Sequence, residues 1–204
     1  MTIRAVIFDL GGVLVRTQDY TSRDALAKRH GMTRDVLEEL VYGDESGLSA
    51  QLGIIDIHQH WENVRIALGL PAEEVEAFRK HFWRGDQVDA ELVQFIRSLK
   101  AHYRTGLLSN AFSNLRQVIM EVWQIEDAFD VMVISAEEGL VKPDARIYQV
   151  ALDRLDVKPE EALFIDDLPQ NVEGARLVNM HAIQFLTPEQ ARSEIDFLLN
   201  EDHR

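Results

Sequence analysis

The sequence predicts an α/β fold in which a doubly wound parallel sheet of five strands carries an inserted bundle of helices. Three observations lead to this prediction. Short, β-branched apolar segments alternate with helical periodicities along most of the chain, which is typical of right-handed βαβ units. The alternation is interrupted once, between residues 16 and 86, where the periodicity is helical throughout. Of the 204 residues, 46% are apolar and 27% charged, which are ordinary values for a globular chain that buries a core.

Five apolar segments are typical of strands that are covered on both faces of a parallel sheet. The first covers residues 3–8 and stops at Asp9. The other four lie at residues 105–108, 131–134, 162–165 and 181–185, and the last of them is the weakest. Helical periodicities follow these segments at residues 89–101, 113–122, 144–155, 170–178 and 188–199.

The interrupting segment predicts a second domain. Helices are expected at residues 20–30, 33–42, 56–68 and 71–84, with breaks at Gly31, at residues 43–47 and at residues 69–71. We therefore expect a helical cap domain of residues 16–86, inserted into a core domain of residues 1–15 and 87–204. An insertion directly after the first strand lies over the carboxyl ends of the strands, where doubly wound sheets bind their ligands. The cap is thus expected to act as a lid over an active site.

Composition excludes several classes of partner. Acidic residues outnumber basic ones 35 to 21, and the net charge of -14 disfavours nucleic acid and anionic membrane surfaces. No segment approaches the ~18 consecutive apolar residues of a membrane helix. The absence of cysteine rules out disulfides and thiolate metal sites and fits a reducing compartment, so a cytoplasmic location is expected. We expect a small-molecule substrate and either a monomer or a homodimer.

Polar side chains interrupt the apolar strands at their carboxyl ends. Asp9 ends the first strand. Ser109 and Asn110 end the second strand, and the two aspartates at 166–167 end the fourth. Lys142 follows the third strand by a few residues. Because parallel strands end at one edge of the sheet, these side chains are expected to converge. Three carboxylates brought together repel one another unless a cation neutralises them, and an oxygen-only site suits Mg²⁺.

This set of residue types is suited to phosphoryl transfer. A carboxylate such as Asp9 can attack phosphorus and form an aspartyl phosphate, which divides one difficult displacement into two easier steps. Mg²⁺ and Lys142 would hold the negative charge, and Ser109 with Asn110 would donate hydrogen bonds to phosphate oxygens.

Four motifs, in order, resemble those of the haloacid dehalogenase-like (HAD) hydrolase superfamily, in its branch with a Rossmann-like core and a helical cap after strand 1. They cover nearly the whole chain. They are Phe8-Asp9-Leu10-Gly11-Gly12-Val13-Leu14, Leu107-Leu108-Ser109-Asn110, Val141-Lys142-Pro143-Asp144, and Phe164-Ile165-Asp166-Asp167-Leu168-Pro169-Gln170-Asn171.

The resemblance implies roles for individual residues. Asp9 is the nucleophile, and Ser109 and Lys142 bind phosphate. Mg²⁺ is bound by Asp9, the Gly11 carbonyl and Asp167, with Asp166 in or beside that shell. The first and third motifs look like those of a sugar-phosphate phosphatase subgroup, similar to the bacterial α-D-glucose-1-phosphatase-like phosphatases.

One position departs from the family pattern. Phosphatases of this family usually carry a second aspartate two residues after the nucleophile, where it protonates the leaving alkoxide, and here that position is Gly11. Loss of such an acid/base typically costs ~10²–10⁴ in rate. Three explanations stay open: the substrate has a good leaving group, the protein is slow, or the lid supplies the proton from one of Asp19, His58, His60 and Glu62.

Two other functions are kept as alternatives. A 2-haloacid dehalogenase would use Asp9 to attack carbon without a metal, but the pair of aspartates at 166–167 argues against it. A binding or regulatory protein of the same fold with low turnover is the other alternative, and Gly11 is its best support. Arg16, Asp19 and Tyr20, where the first strand leads into the cap, are further candidates for contacting the substrate.

Overall fold

The computed structural model describes residues 2–201 and contains a central parallel sheet of five strands. The order of the strands in this sheet is β5-β4-β1-β6-β7, and a separate antiparallel pair is formed by β2 and β3. The predicted fold class is therefore confirmed. The strands are β1 (Ala5–Phe8), β2 (Val15–Thr17), β3 (Asp86–Val88), β4 (Arg104–Ser109), β5 (Val131–Ile134), β6 (Ala162–Asp166) and β7 (His181–Gln184).

The order of the strands determines where a ligand can bind. The chain proceeds from β1 outward through β4 to β5, and then returns to β6 on the other side of β1. The direction of winding therefore reverses between β1 and β6, and doubly wound sheets bind ligands at the carboxyl ends of the strands at such a reversal. Asp9 directly follows β1, and Asp166 is the last residue of β6.

Helices cover both faces of the sheet and also make up the inserted segment. Within residues 2–201, no helix combines the length and the apolar composition needed to cross a bilayer. The helices are α1 (Thr21–Arg29), α2 (Arg34–Glu38), α3 (Glu45–Gln51), α4 (Ile57–Leu68), α5 (Val75–Phe82), α6 (Ala90–Leu99), α7 (Leu115–Gln117), α8 (Ser135–Glu138), α9 (Ala145–Leu155), α10 (Pro169–Leu177) and α11 (Pro188–Glu201). Helices α2 and α7 continue as π-helical turns, at Glu39–Gly43 and Val118–Trp123.

Alternate side chains of β1 enter two separate hydrophobic cores. Val6 and Phe8 belong to the core that includes α6 and α11, whereas Ala5 and Ile7 belong to the core that includes α9 and α10. All four are completely buried. This is why β1 reads as a continuous apolar run, as expected for a strand covered on both faces.

The predicted break at residues 43–47 is wrong over most of its length, because helix α3 begins at Glu45. Asp44 is its N-cap, and the side-chain carboxylate of Asp44 accepts a hydrogen bond of 2.7 Å from the backbone N–H of Gly47. The polar and glycine residues that indicated a loop therefore form the start of a helix.

The inserted helices enclose a hydrophobic core of their own. Its buried side chains include Trp61, Phe78 and Phe82. Phe112, from the loop after β4, belongs to the same cluster and is only 8% exposed, so the central domain contributes a ring to the core of the insertion. The division into a core domain and a cap domain of residues 16–86 stays a prediction.

The two connections to the insertion are paired with each other, which the sequence analysis did not anticipate. Strands β2 and β3 form an antiparallel ribbon in which Thr17 lies opposite Asp86, and their side chains share a hydrogen bond of 2.6 Å. Arg23 of α1 donates two hydrogen bonds of 2.7 Å to the Asp86 carboxylate and one of 2.9 Å to the Phe82 carbonyl. A buried guanidinium thus joins the first and last helices of the insertion to the ribbon.

Candidate active site

Three carboxylates meet at the reversal point of the sheet. Asp9, Asp166 and Asp167 each offer an oxygen, and these oxygens all lie within 4.8 Å of one another. Parallel pairing brings them together: Phe8 lies opposite Ile165, and the backbone N–H of Asp9 donates a 2.8 Å hydrogen bond to the Ile165 carbonyl. The residues that follow the two strands are therefore neighbours.

Lys142 lies among these carboxylates. Its Nζ donates hydrogen bonds of 2.6 Å to Asp9 Oδ1, 2.6 Å to Asp166 Oδ2 and 2.9 Å to the Leu108 carbonyl. The side chain is 1% exposed, so its ammonium group has exchanged water for three oxygens. One lysine cannot neutralise three carboxylates, and the site retains an excess of negative charge.

The pKa values reflect this crowding. Burial, together with the Asp166 carboxylate, raises the pKa of Asp9 to about 7 even though Lys142 opposes both effects. Burial and the Asp166 carboxylate also raise the pKa of Asp167. Burial lowers the pKa of Lys142, but Asp9 and Asp166 outweigh burial, so its net shift is upward and the lysine keeps its proton. The carboxylates are thus held in an environment that favours a further positive charge.

Asp166 and Asp167 differ in how far their oxygens are already occupied. Asp166 is completely buried; its Oδ1 accepts from the Leu168 backbone N–H at 2.8 Å and from Asn171 Nδ2 at 3.0 Å, and its Oδ2 accepts from Lys142. Asp167 is only partly buried and lies against Gly12. These contacts favour Asp166 as the residue that holds Lys142, and Asp167 as the more available oxygen ligand.

The backbone of Gly12 makes room for Asp167. Gly12 has a φ of +76°, which disfavours residues with a Cβ, and a Cβ built there would lie 2.2 Å from Asp167 Oδ2. The donor set consists of hard carboxylate oxygens, and the participation of the Gly11 carbonyl stays a prediction. Such a set fits Mg²⁺, which binds through one or two carboxylates and keeps several waters.

Ser109 and Asn110 are at the end of β4, but their side chains have different surroundings. Ser109 is buried, and within residues 2–201 its hydroxyl has no hydrogen-bond partner. The amide of Asn110 is engaged on both sides by the backbone of Lys142: Oδ1 accepts from its N–H at 2.8 Å and Nδ2 donates to its carbonyl at 3.0 Å. Ser109 is therefore available to a ligand, whereas Asn110 clamps the Lys142 loop. The phosphate-binding role of Asn110 stays a prediction.

The three residues predicted to contact the substrate, at the start of the cap, bond to residues outside the carboxylate cluster. Arg16 donates hydrogen bonds to the Val13 carbonyl and, at 2.6 Å, to Asp89. The exposed Asp19 accepts a 2.8 Å hydrogen bond from the backbone N–H two residues on, and Tyr20 lies under an arginine guanidinium at 4.2 Å. These contacts do not join the three residues to the carboxylate cluster, and their substrate role stays a prediction.

Asn171 is a residue whose role the sequence analysis missed, although it ends the fourth motif. It is 3% exposed, and its Nδ2 lies 3.0 and 3.1 Å from the two oxygens of Asp166. Its backbone carbonyl accepts a 2.8 Å hydrogen bond from the buried Tyr148 hydroxyl. The sequence did contain a signal for this residue: helix α10 begins shortly after the aspartate pair, and Asn171 is an amide on the buried face of its first turn.

A family model described as haloacid dehalogenase-like hydrolase matches residues 3–179. Acyl-CoA dehydrogenase family member 10 of Mus musculus is 31% identical over 96% of this chain, which spans only 19% of that protein. The sesquiterpene phosphatase astK of Aspergillus oryzae is 28% identical over 88% of each chain. A glyceraldehyde 3-phosphate phosphatase of Pyrococcus furiosus is 26% identical over 96% of this chain and 85% of that one.

A solved structure agrees with the fold and with its connectivity. A predicted HAD-like family hydrolase from Porphyromonas gingivalis superposes with a TM-score of 0.77 at 26% identity, covering 98% of both chains. The similarity therefore includes the helical insertion as well as the sheet.

Proposed function

The chain belongs to the haloacid dehalogenase-like hydrolase family, and on that premise we propose that it is a Mg²⁺-dependent phosphatase that acts through an aspartyl-phosphate intermediate. The observation that carries the proposal is the buried Asp9, hydrogen-bonded to Lys142 and close to two further carboxylates at the reversal point of the sheet. We propose a small phosphomonoester of the sugar-phosphate class as the substrate. The phosphatases among its relatives and the form of its first and third motifs support this choice.

In the proposed first step, a carboxylate oxygen of Asp9 attacks phosphorus. An Asp9–phosphorus bond forms, the ester P–O bond breaks, and the leaving oxygen takes the bonding electron pair. Lys142 orients the Asp9 carboxylate through Oδ1 and lowers the charge around the incoming phosphate. The Ser109 hydroxyl donates a hydrogen bond to a phosphate oxygen. In the second step, water attacks phosphorus, the Asp9–phosphorus bond breaks, the carboxylate is restored, and the water proton passes to phosphate or to solvent.

Asp9, the Gly11 carbonyl and Asp167 are the residues that we propose for the metal, with Asp166 beside them holding Lys142. When bound there, Mg²⁺ supplies the positive charge that offsets the phosphate oxygens and the unpaired carboxylates. The helical insertion is proposed to act as a lid that surrounds the non-phosphate part of the substrate and excludes water.

The test is a phosphate-release screen over sugar phosphates, nucleotides and acyl phosphates, with Mg²⁺ or with EDTA. We expect Mg²⁺-dependent release in the native chain and a loss of at least ~10³-fold in Asp9→Asn, because the nucleophile is removed. Asp196→Asn, an exposed aspartate of α11, is the matched control and should keep the native rate. Activity of Asp9→Asn at the native rate would exclude Asp9 as the nucleophile.

The same preparation separates the two alternatives. Chloride release from a 2-chloro acid in the presence of EDTA would support a dehalogenase. A burst of acid-stable protein phosphorylation without turnover would support a binding or regulatory protein. The phosphatase proposal requires neither result.

A further inference from the structure

The space beside Gly11 is open. Gly11 is exposed, its φ lies outside the left-handed region, and a Cβ built on it has no atom within 4 Å beyond Gly11 and its two chain neighbours. The position two residues after the nucleophile therefore provides neither a proton donor nor a side chain that could hold one. A leaving group can enter this space, but it meets no acid there.

The groups around Asp9 are unsuited to replace that donor. Lys142 is bonded to a carboxylate oxygen of Asp9 itself, and Asp166 is bonded to Lys142. In an in-line displacement the leaving oxygen lies on the side of phosphorus opposite to the attacking oxygen. Groups that hold the attacking carboxylate are therefore on the wrong side to protonate the leaving oxygen.

Three of the four candidate donors from the cap have contacts of their own, and the fourth is exposed. Asp19 accepts from the Thr21 backbone, and Glu62 forms a bidentate ion pair with Arg65 at 2.7 and 2.8 Å. His60 is completely buried in the core of the insertion, where its Nδ1 lies 3.0 Å from a serine hydroxyl. His58 is exposed on α4.

We infer that this site selects phosphorylated substrates whose leaving group departs as an anion without a proton from the protein. Acyl phosphates, aryl phosphates and sugars phosphorylated at the more acidic anomeric oxygen belong to this class, whereas phosphates of simple alcohols, including those on other sugar hydroxyls, do not. Carboxylic acids and phenols ionise with pKa values of about 4 and about 10, whereas the pKa of a simple alcohol, like that of water, is far higher. The inference rests on the proposed phosphatase function.

The first step is balanced without an acid. Asp9 forms a bond to phosphorus, the P–O bond breaks, and the carboxylate or phenolate leaves with the electron pair; an anion that needs a proton takes it later from water. In the second step, water attacks phosphorus, Asp9 is released, and the water proton passes to phosphate or to solvent. This step also lacks a base at position 11, and it is the same for every substrate. All good leaving groups should therefore share one slow kcat, preceded by a burst.

The experiment measures kcat/KM with Mg²⁺ for a series of substituted phenyl phosphates, together with acetyl phosphate and ethyl phosphate. In the native chain we expect kcat/KM to fall steeply as the leaving-group pKa rises. Gly11→Asp should raise kcat/KM for ethyl phosphate by ~10²–10⁴ and that for acetyl phosphate by less than 10-fold, because only the former needs the acid. Gly11→Ala is the matched control, since its methyl group also enters open space, and it should keep the steep dependence.

The outcomes separate the inference from the function on which it rests. A flat dependence in the native chain would overturn the inference, because another group would then be supplying the proton. An equal gain for all substrates in Gly11→Asp would also overturn it. If no substrate releases phosphate, or if Asp9→Asn keeps the native rate, the proposed function itself fails. If Gly11→Asp does not fold, the slope of the native series alone decides.

Discussion

Replacement of Arg23 by methionine is expected to destabilise the protein by about 3–5 kcal/mol, the usual cost of leaving buried carboxylates without their partner. The Arg23 side chain is 6% exposed and Asp86 is 12% exposed. The guanidinium also bonds Glu38 at 2.8 Å and stacks on the Phe82 ring at 4.5 Å. Methionine retains much of the apolar contact but removes every hydrogen bond, so the loss reports the charge network.

The free energy of unfolding can be measured by urea titration, followed by the fluorescence of the three tryptophans. For a chain of this size, the expected loss corresponds to a decrease in Tm of roughly 6–20 °C. Arg29→Met is the matched control, because Arg29 also pairs with a glutamate but is 63% exposed. Its expected cost is below about 1 kcal/mol.

A second variant tests the cause of the loss. In Arg23→Met combined with Asp86→Asn, the buried carboxylate no longer lacks a partner, so part of the lost stability should return. If Arg23→Met costs no more than Arg29→Met, or if the double variant is no more stable than the single one, the ion pair does not hold the insertion to the ribbon.

Three further predictions concern the candidate site and its surroundings. Gly12→Ala and Gly69→Ala should each lose about 1–2 kcal/mol of stability, because both glycines have a positive φ. Only Gly12→Ala should also lose phosphatase activity, because its methyl group displaces a carboxylate of the candidate site. Equal phosphatase activities of the two variants would contradict this. Asn110→Ala should lower kcat/KM by about 10–100-fold by releasing the Lys142 backbone, and an unchanged value would show that the clamp does not position the lysine. A hydrogen bond from a nearby guanidinium lowers the pKa of Asp144 from 3.8 to about 2. The stabilisation that the ionised Asp144 contributes should therefore be complete above pH 3.8 and vanish as the pH falls towards 2, so the difference in stability between the native chain and Asp144→Asn should follow the same course. Urea midpoints of the two proteins that differ equally at pH 7 and at low pH would refute the assignment.

The sequence alone determined the architecture and the location of the candidate site. Apolar runs that end in Asp9, Ser109 and the pair 166–167 imply parallel strands, and parallel strands of right-handed βαβ units end at one edge. Those patterns are local and periodic, so they can be recognised without knowing which segments touch. The sequence could not separate the loop at residues 43–47 from a helix start, because the same polar residues serve both.

Only the tertiary structure decided how the side chains are paired. Lys142 is 133 positions from Asp9 and bonds it, and Asn110 clamps the Lys142 backbone across 32 positions. Arg23 and Asp86 join the two ends of the insertion across 63 positions. Periodicity shows which face of a helix or strand is buried, but it carries no information about which distant partner satisfies a buried charge. That choice depends on packing over the whole chain, because a buried ion is stable only where its partners converge.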